Sequence, residues 1–386
     1  MKRINSIDFV RGLVMIIMAL DHTRDLMHVN SLTQNPTDLS TTTSTLFFTR
    51  MITHLCAPTF VFLSGVSIYL ALKATNNIIG NKRFLLTRGL WLIILEFTVI
   101  CFGLWADIHF GVLLFNVIAT IGFGFFILSF LLRISPKTLG IIGLVIIFCH
   151  NLFPLIPFEK GSIIQSILNP FFSSTTFSIN PKTLFVMGYP PIPWLGIMLT
   201  GFSAGQLFEI PETERKALFL KIGLVSLALF LVIRFTNIYG DPVVWSPQKD
   251  VLFTLMSFLN VTKYPPSLLF CLLTFGFMFL FFSILEGVQN KFTEILSIYG
   301  KVPLFYFIVH WYIIHIMMFA MVFLQGFKVS DLVFGFNFGR PKTGSGVELW
   351  AIYILWISVV LIMFPLCKWY GKYKANHQER HWLRYL

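Results

Sequence analysis

The chain has 386 residues, is 56% hydrophobic and carries only 12% charged residues, with a mean hydropathy of +0.78; a soluble domain of this size holds roughly twice that charge. Its net charge of +12 lies in short connections between apolar blocks. No basic stripe is interleaved with aromatics, which argues against a nucleic-acid partner. The apolar blocks run to about 20 residues, enough to cross a bilayer core at about 1.5 Å per residue, so the expected fold is all-α: a polytopic transmembrane bundle forming one domain over residues 1–386.

Ten spans are predicted, at 7–29, 46–74, 84–106, 112–132, 137–156, 189–208, 218–237, 264–285, 299–325 and 347–371. The first has a short basic flank but no small-residue cleavage site behind it, and is expected to stay as a span. With the N-terminus inside, the inner side collects Lys2, Arg3, Arg11, Lys73, Lys82, Arg83, Arg88, Arg133, Lys137, Arg215, Lys216, Lys221, Lys291, Lys301 and the tail from Lys368 to Arg384. That asymmetry predicts both termini in the cytoplasm and a multi-pass protein of the cytoplasmic (inner) membrane. The connections 28–45, 157–188, 238–263 and 326–346 then lie outside, with Phe171-Phe172 and Phe185-Val186-Met187 expected to dip back toward the bilayer. Cys56, Cys101, Cys149, Cys271 and Cys367 fall in apolar stretches without metal or redox spacing and read as small buried hydrophobes.

Span 1 contains an energetic anomaly in Asp21-His22-Thr23-Arg24-Asp25. A charge in hydrocarbon costs from ~2.5 to ~17 kcal/mol, so such a run is expected to face a protein interior or a wet cavity. Counted from the inner edge, Asp21 lies ~20 Å along the helix and Asp25 ~26 Å, in the outer half. His54, on the inward-running span 2, falls at the same depth, with Arg50 one turn away. His310 falls mid-span in span 9, His315 a turn further out, and Glu96 mid-membrane in span 3. A histidine beside a carboxylate is the minimal general-base pair, so His22, His54, Asp21 and Asp25 are the catalytic candidates. Arg24, Arg50, Lys263, His310 and Glu96 are candidates for oxyanion or substrate positioning. Asp8 is expected to cap span 1 or pair with Arg11. No metalloprotease, nucleotide-loop or hydrolase-elbow motif occurs, and no metal is expected.

Ser6-Ile7-Asp8-Phe9-Val10-Arg11-Gly12 followed by His22 resembles the first span of integral-membrane acyltransferases. Thr53-His54-Leu55-Cys56-Ala57-Pro58-Thr59, Tyr189-Pro190-Pro191-Ile192-Pro193-Trp194, Asn260-Val261-Thr262-Lys263-Tyr264-Pro265-Pro266 and Val302-Pro303-Leu304-Phe305-Tyr306 are similar to the bacterial heparan-α-glucosaminide N-acetyltransferase-like membrane proteins. The resemblance implies a transmembrane acyltransferase using acetyl-CoA or another acyl-CoA from the cytoplasm, with a sugar or glycan acceptor outside. It implies His22 as the base of O-acylating members, while Ser40 to Thr45 holds no counterpart of the loop histidine of the heparan-modifying branch. Lys73, Lys82, Arg83 and Arg88 would suit the phosphates of CoA. The lipid bilayer is the expected surrounding partner, and a homodimer is compatible with such a bundle. The competing reading is a proton-coupled secondary transporter using the same Asp, His and Glu residues as a relay.

Overall fold

The computed structural model describes residues 4–159 and 161–385; Lys2 and Arg3, counted above with the inner cations, lie outside them. The first helix, α1 (Asn5–Met27), carries the ionisable run in its last two turns and ends where His28 turns extended. Next come α2 (Ser44–Thr53) and α3 (Cys56–Thr75). The sequence predicts one unbroken span here, but the helix interrupts at His54 and Leu55. Pro58 has no N–H to give the carbonyl of His54, and its ring crowds that carbonyl, so the turn opens there.

α4 (Ile78–Leu95) passes through a π-helical turn at Glu96–Ile100 into the short α5 (Cys101–Trp105). Residues 112–116, predicted as the start of a span, instead form β1 (Val112–Phe115) and a cap. The Asn116 side chain accepts from Val117 N at 2.8 Å and sets the start of α6 (Val117–Leu131). α7 (Pro136–Cys149) and the amphipathic α8 (Ile163–Phe172) follow. A hairpin of β2 (Thr175–Asn180) and β3 (Thr183–Met187) then joins β1 in a sheet of order β1-β3-β2. β3 runs parallel to β1, Val112 opposite Leu184, and antiparallel to β2, Phe177 opposite Phe185. The remaining helices are α9 (Pro191–Ala204), α10 (Glu212–Thr236), α11 (Val251–Leu259), α12 (Leu268–Leu285), α13 (Lys291–Gly300), α14 (Pro303–Leu324) and α15 (Leu349–Asn376).

Among the described residues, 7 helices are long and apolar enough to cross a membrane. The three other expected spans correspond to α1, whose charge density sets it apart, and to α6 and α9, which have 15 and 14 residues. The expected outer connection 238–263 contains α11, and α13 precedes the expected ninth span.

α1 lies at the centre of the bundle against α2, α3 and α12 to α15. Its approach to α13 is backbone to backbone: a Cβ on Gly12 would run into the Leu296 carbonyl, and one on Gly300 into the Asp8 carbonyl. At the far end Val29 N bonds Val347 O at 3.0 Å and Val347 N bonds Met27 O at 2.9 Å, placing the start of α15 beside the end of α1. The two helices are therefore antiparallel, and the beginning of α1 and the end of α15 share one end of the bundle. Cys56, Cys101, Cys271 and Cys367 are buried as expected, whereas Cys149 is exposed at the end of α7.

Candidate active site

The charged run of α1 is held by a compact ionic cluster. Residues three apart on a helix share a face, so Arg24 reaches back to Asp21, Nη2 to Oδ1 at 2.7 Å, while also touching Asp25 Oδ1 at 2.6 Å. The second oxygen of Asp21 is bound by Arg50, from the last turn of α2. Two carboxylates and two guanidiniums thus neutralise each other in a site where an unpaired charge would be costly. Arg340, in the connection before α15, pins the end of this helix by donating to Leu26 O at 3.2 Å, His28 O at 3.0 Å and Ser31 Oγ at 2.9 Å. Burial lowers the Arg340 guanidinium to about 10, so it remains a cation at neutral pH.

His22 takes no part in that cluster. Its Nδ1 lies 2.6 Å from Nε2 of His310, and its ring stacks on Trp311 with centroids 3.9 Å apart. The Nδ1 of His310 lies 3.0 Å from the carbonyl oxygen of Tyr306. A carbonyl only accepts, so His310 carries its proton on Nδ1 and its neutral Nε2 must accept in turn. His22 therefore donates from Nδ1, and its Nε2 keeps the lone pair. Nε2 makes no protein hydrogen bond among the described residues. The general-base partner expected for His22 was Asp21 or Asp25; in the structure both are committed to arginines, and the partner is His310.

Three cavities surround these groups. A cavity of about 340 Å³ at the end of the bundle expected to face outward, called the outer cavity, is lined by Asp21, His22, Asp25, Arg50, Trp105, Asn116, Lys263, Tyr264 and Trp311. A second compartment of about 370 Å³ shares Arg50, Lys263 and Tyr264 with it and adds Asn35, Asp38, His54, Asn260 and Thr262. The Ser40 hydroxyl and amide, donating to Asp38, hold that carboxyl below its ordinary value. Lys263 stands in the partition with 8% of its surface exposed and forms no ion pair among the described residues. Nearer the beginning of α1, a narrow slot of about 100 Å³ that neither His22 nor His310 lines runs between Arg11, Ser64 and Arg88 and apolar walls from Met15, Phe60, Leu92, Ile121 and Phe307. Phe307 meets the rings of both His22 and His310 edge-on.

Asp21, His22, Asp25, Arg50, Lys263 and His310 are thus brought together. Arg24 lies behind Asp21 and lines none of these cavities. His54 faces the second compartment, with a buried Nδ1 that finds no partner among the described residues. Glu96 is apart from the site: its Oε2 accepts from Ala119 N at 2.9 Å and caps the first turn of α6. Of the four cations expected to meet CoA, only Arg88 reaches the slot. Lys73 pairs with Glu209 at 3.1 Å, Lys82 lies over the Phe130 ring, and Arg83 is exposed on α4. Arg11 was expected as an edge partner of Asp8, which it is, at 3.5 Å. It also lines the slot and bonds Ser67 Oγ at 3.0 Å. Sequence reasoning missed Trp311, Tyr306 and Arg340; an aromatic beside a mid-span histidine at His310-Trp311 was the one available signal.

Residues 3–235 match the family described as heparan-alpha-glucosaminide N-acetyltransferase, catalytic. The match covers α1 to α10 and more than half of the chain. No curated protein matches it.

Proposed function

The chain belongs to the heparan-alpha-glucosaminide N-acetyltransferase catalytic family, and from that membership we propose that it transfers an acetyl group from acetyl-CoA, or another acyl-CoA, to an amine or hydroxyl of a sugar or glycan. The observation that carries this reading is the free lone pair of His22 Nε2, fixed by the chain His22–His310–Tyr306 on a residue that lines a polar cavity, with Phe307 between this pair and the slot.

The donor supplies the thioester. Arg11 and Arg88 suit its phosphates, since guanidinium–phosphate bonds are charge-assisted, and the apolar walls between Met15 and Phe307 suit an acyl chain. The acceptor occupies the outer cavity, where Trp105 and Trp311 offer flat faces and Asn116, Tyr264 and Asp25 offer polar groups. His22 Nε2 takes the proton from the acceptor N–H or O–H as its lone pair attacks the thioester carbonyl. His310 Nε2, accepting from Nδ1–H throughout, stabilises the imidazolium that forms on His22. Lys263 and Arg50 stabilise the oxyanion of the tetrahedral intermediate. Collapse breaks the C–S bond, and His22 returns its proton to the departing thiolate, giving acetylated acceptor and free CoA thiol. Lys263, His310 and Trp311 lie beyond residue 235, so the catalytic unit is the whole chain as one membrane domain. We place it in the inner membrane with both termini cytoplasmic. His54 serves the acceptor side as a positioning residue. The family lends no support to a carrier working through the same residues.

Purified protein given radiolabelled acetyl-CoA and an amino-sugar-terminated glycan should transfer label, and His22→Gln should slow transfer by about 10³-fold, within the range of general-base catalysis. His54→Ala should chiefly raise the acceptor KM. Retained activity in both His22→Ala and His54→Ala would overturn the assignment.

A further inference from the structure

A cavity of about 670 Å³, larger than those around His22, is not part of the site described above. It opens at the end of the bundle where α15 finishes and α13 meets α14, the end at which Gly300 packs on Asp8. Its walls carry Lys301, Lys368, Lys372, Lys374 and Arg380 over an apolar floor that includes Val302 and Leu383. Among the described residues no carboxylate lines it. Lys301, Lys368 and Lys372 form no ion pair among the described residues, while Arg380 has the carboxylate of Glu379 at 3.8 Å. The excess of cations on one side of a membrane protein explains lone surface lysines. It does not explain why these cations converge on a concavity. Lys82 and Arg83, at the corresponding end of α4, show the ordinary arrangement: both are exposed, and neither lines any of the cavities described.

We propose that this cavity binds a phosphate group presented by an anionic phospholipid. Several cations around one hollow match the charge and acceptor oxygens of a phosphodiester, and basic pockets between helices at a membrane face are a recurring form of headgroup site. The lipid source is favoured over a soluble one by what surrounds the cavity. α15 is the least buried of the long apolar helices, with 17% of its span inside the protein. Leu361 and Trp369, on the stretch leading to Lys368 and Lys372, are 65% and 59% exposed. Acyl chains lying along that helix would bring their headgroup to the cavity mouth. The inference does not depend on the acetyl-transfer reading.

Native mass spectrometry of the full-length protein in detergent, titrated with phosphatidylglycerol, phosphatidylcholine, inorganic phosphate or CoA, tests it. The wild type should retain phosphatidylglycerol in preference to phosphatidylcholine. The double variant Lys368→Gln/Lys372→Gln should bind it about tenfold more weakly, while Lys82→Gln/Arg83→Gln should bind as the wild type does. Equal weakening in both double variants, or an unchanged affinity in the first, would overturn the proposal. Displacement of the lipid by CoA or inorganic phosphate would overturn it as well, by assigning the cavity to a soluble phosphate.

Discussion

The proton state of His22 is decided 288 residues away in sequence, by His310. In water a neutral imidazole exchanges between two tautomers, and only one of them exposes Nε2 as a base. Here the Tyr306 carbonyl selects the tautomer of His310, which selects that of His22. His310→Leu removes the acceptor for Nδ1–H and should cut transfer by about a hundredfold, part of the roughly 10²–10⁴-fold that a positioned base provides. His310→Gln places an amide oxygen in reach of the same proton and should restore most of the rate. Loss of transfer in both variants with unaltered acetyl-CoA binding would instead make His310 a participant in proton transfer. Asp21 belongs to a different system. It bridges Arg24 and Arg50, and Asp21→Asn leaves buried guanidiniums undercompensated, at a cost of about 3 kcal/mol. The expected result is a lower Tm together with lower activity, whereas His310→Leu, which leaves one neutral N–H unpaired, should lower Tm less.

At the scale of elements, the site depends on how α1 is seated and how its neighbours are broken. Depth counting along regular helices placed the α1 run and span 2 at one level, and Arg50 does reach Asp21. Depth alone does not give rotation about a helix axis, so it offered His54 as the facing group when the break at His54–Leu55 turns that histidine toward the second compartment. Glu96 was misplaced for a related reason. Depth gave its level in the membrane, but its carboxylate turns to the backbone amides at the start of α6, where it accepts from Ala119 N, and not toward the site. The strand Val112–Phe115 was absorbed into a span because a short apolar run is equally compatible with either structure; only the Asn116 cap separates it from α6. The seating of α1 was legible only as a glycine beside Arg11. Gly12→Val should push α1 away from the Leu296 carbonyl at a cost of about 2 kcal/mol. Because Arg11 also holds Ser67 and the Gly300 carbonyl, at 3.0 and 3.3 Å, that displacement reaches the slot. A lower Tm with a raised acetyl-CoA KM is expected, and a change in Tm alone would uncouple helix seating from the donor site.

Across the whole molecule, the slot and the outer cavity lie at different levels along α1, the slot at Arg11 and Met15 and the cavity at Asp21, His22 and Asp25, with Phe307 between the slot and the histidine pair. The slot carries arginines at the end shared by the beginning of α1 and the end of α15, while the cavity is roofed by outer connections such as the one held by Arg340. If the basic end faces the cytoplasm, as the charge asymmetry indicates, the reaction is vectorial: the acyl group enters on one side and leaves on the other without either substrate crossing. Neither CoA nor a charged amino sugar passes a bilayer unaided, because desolvating their charges is prohibitive. Sealed, oriented proteoliposomes separate the two sides cleanly. Radiolabelled acetyl-CoA trapped on the side of the basic end should label an amino-sugar glycan supplied only on the other side, and placing both substrates on either single side should give almost no product. Equal labelling with both substrates on the glycan side would mean that the donor reaches His22 through the outer cavity. In that case Arg11→Gln and Arg88→Gln should leave the acetyl-CoA KM unaltered; if the slot is the donor path, they should raise it about tenfold or more, as the loss of charge-assisted phosphate bonds requires.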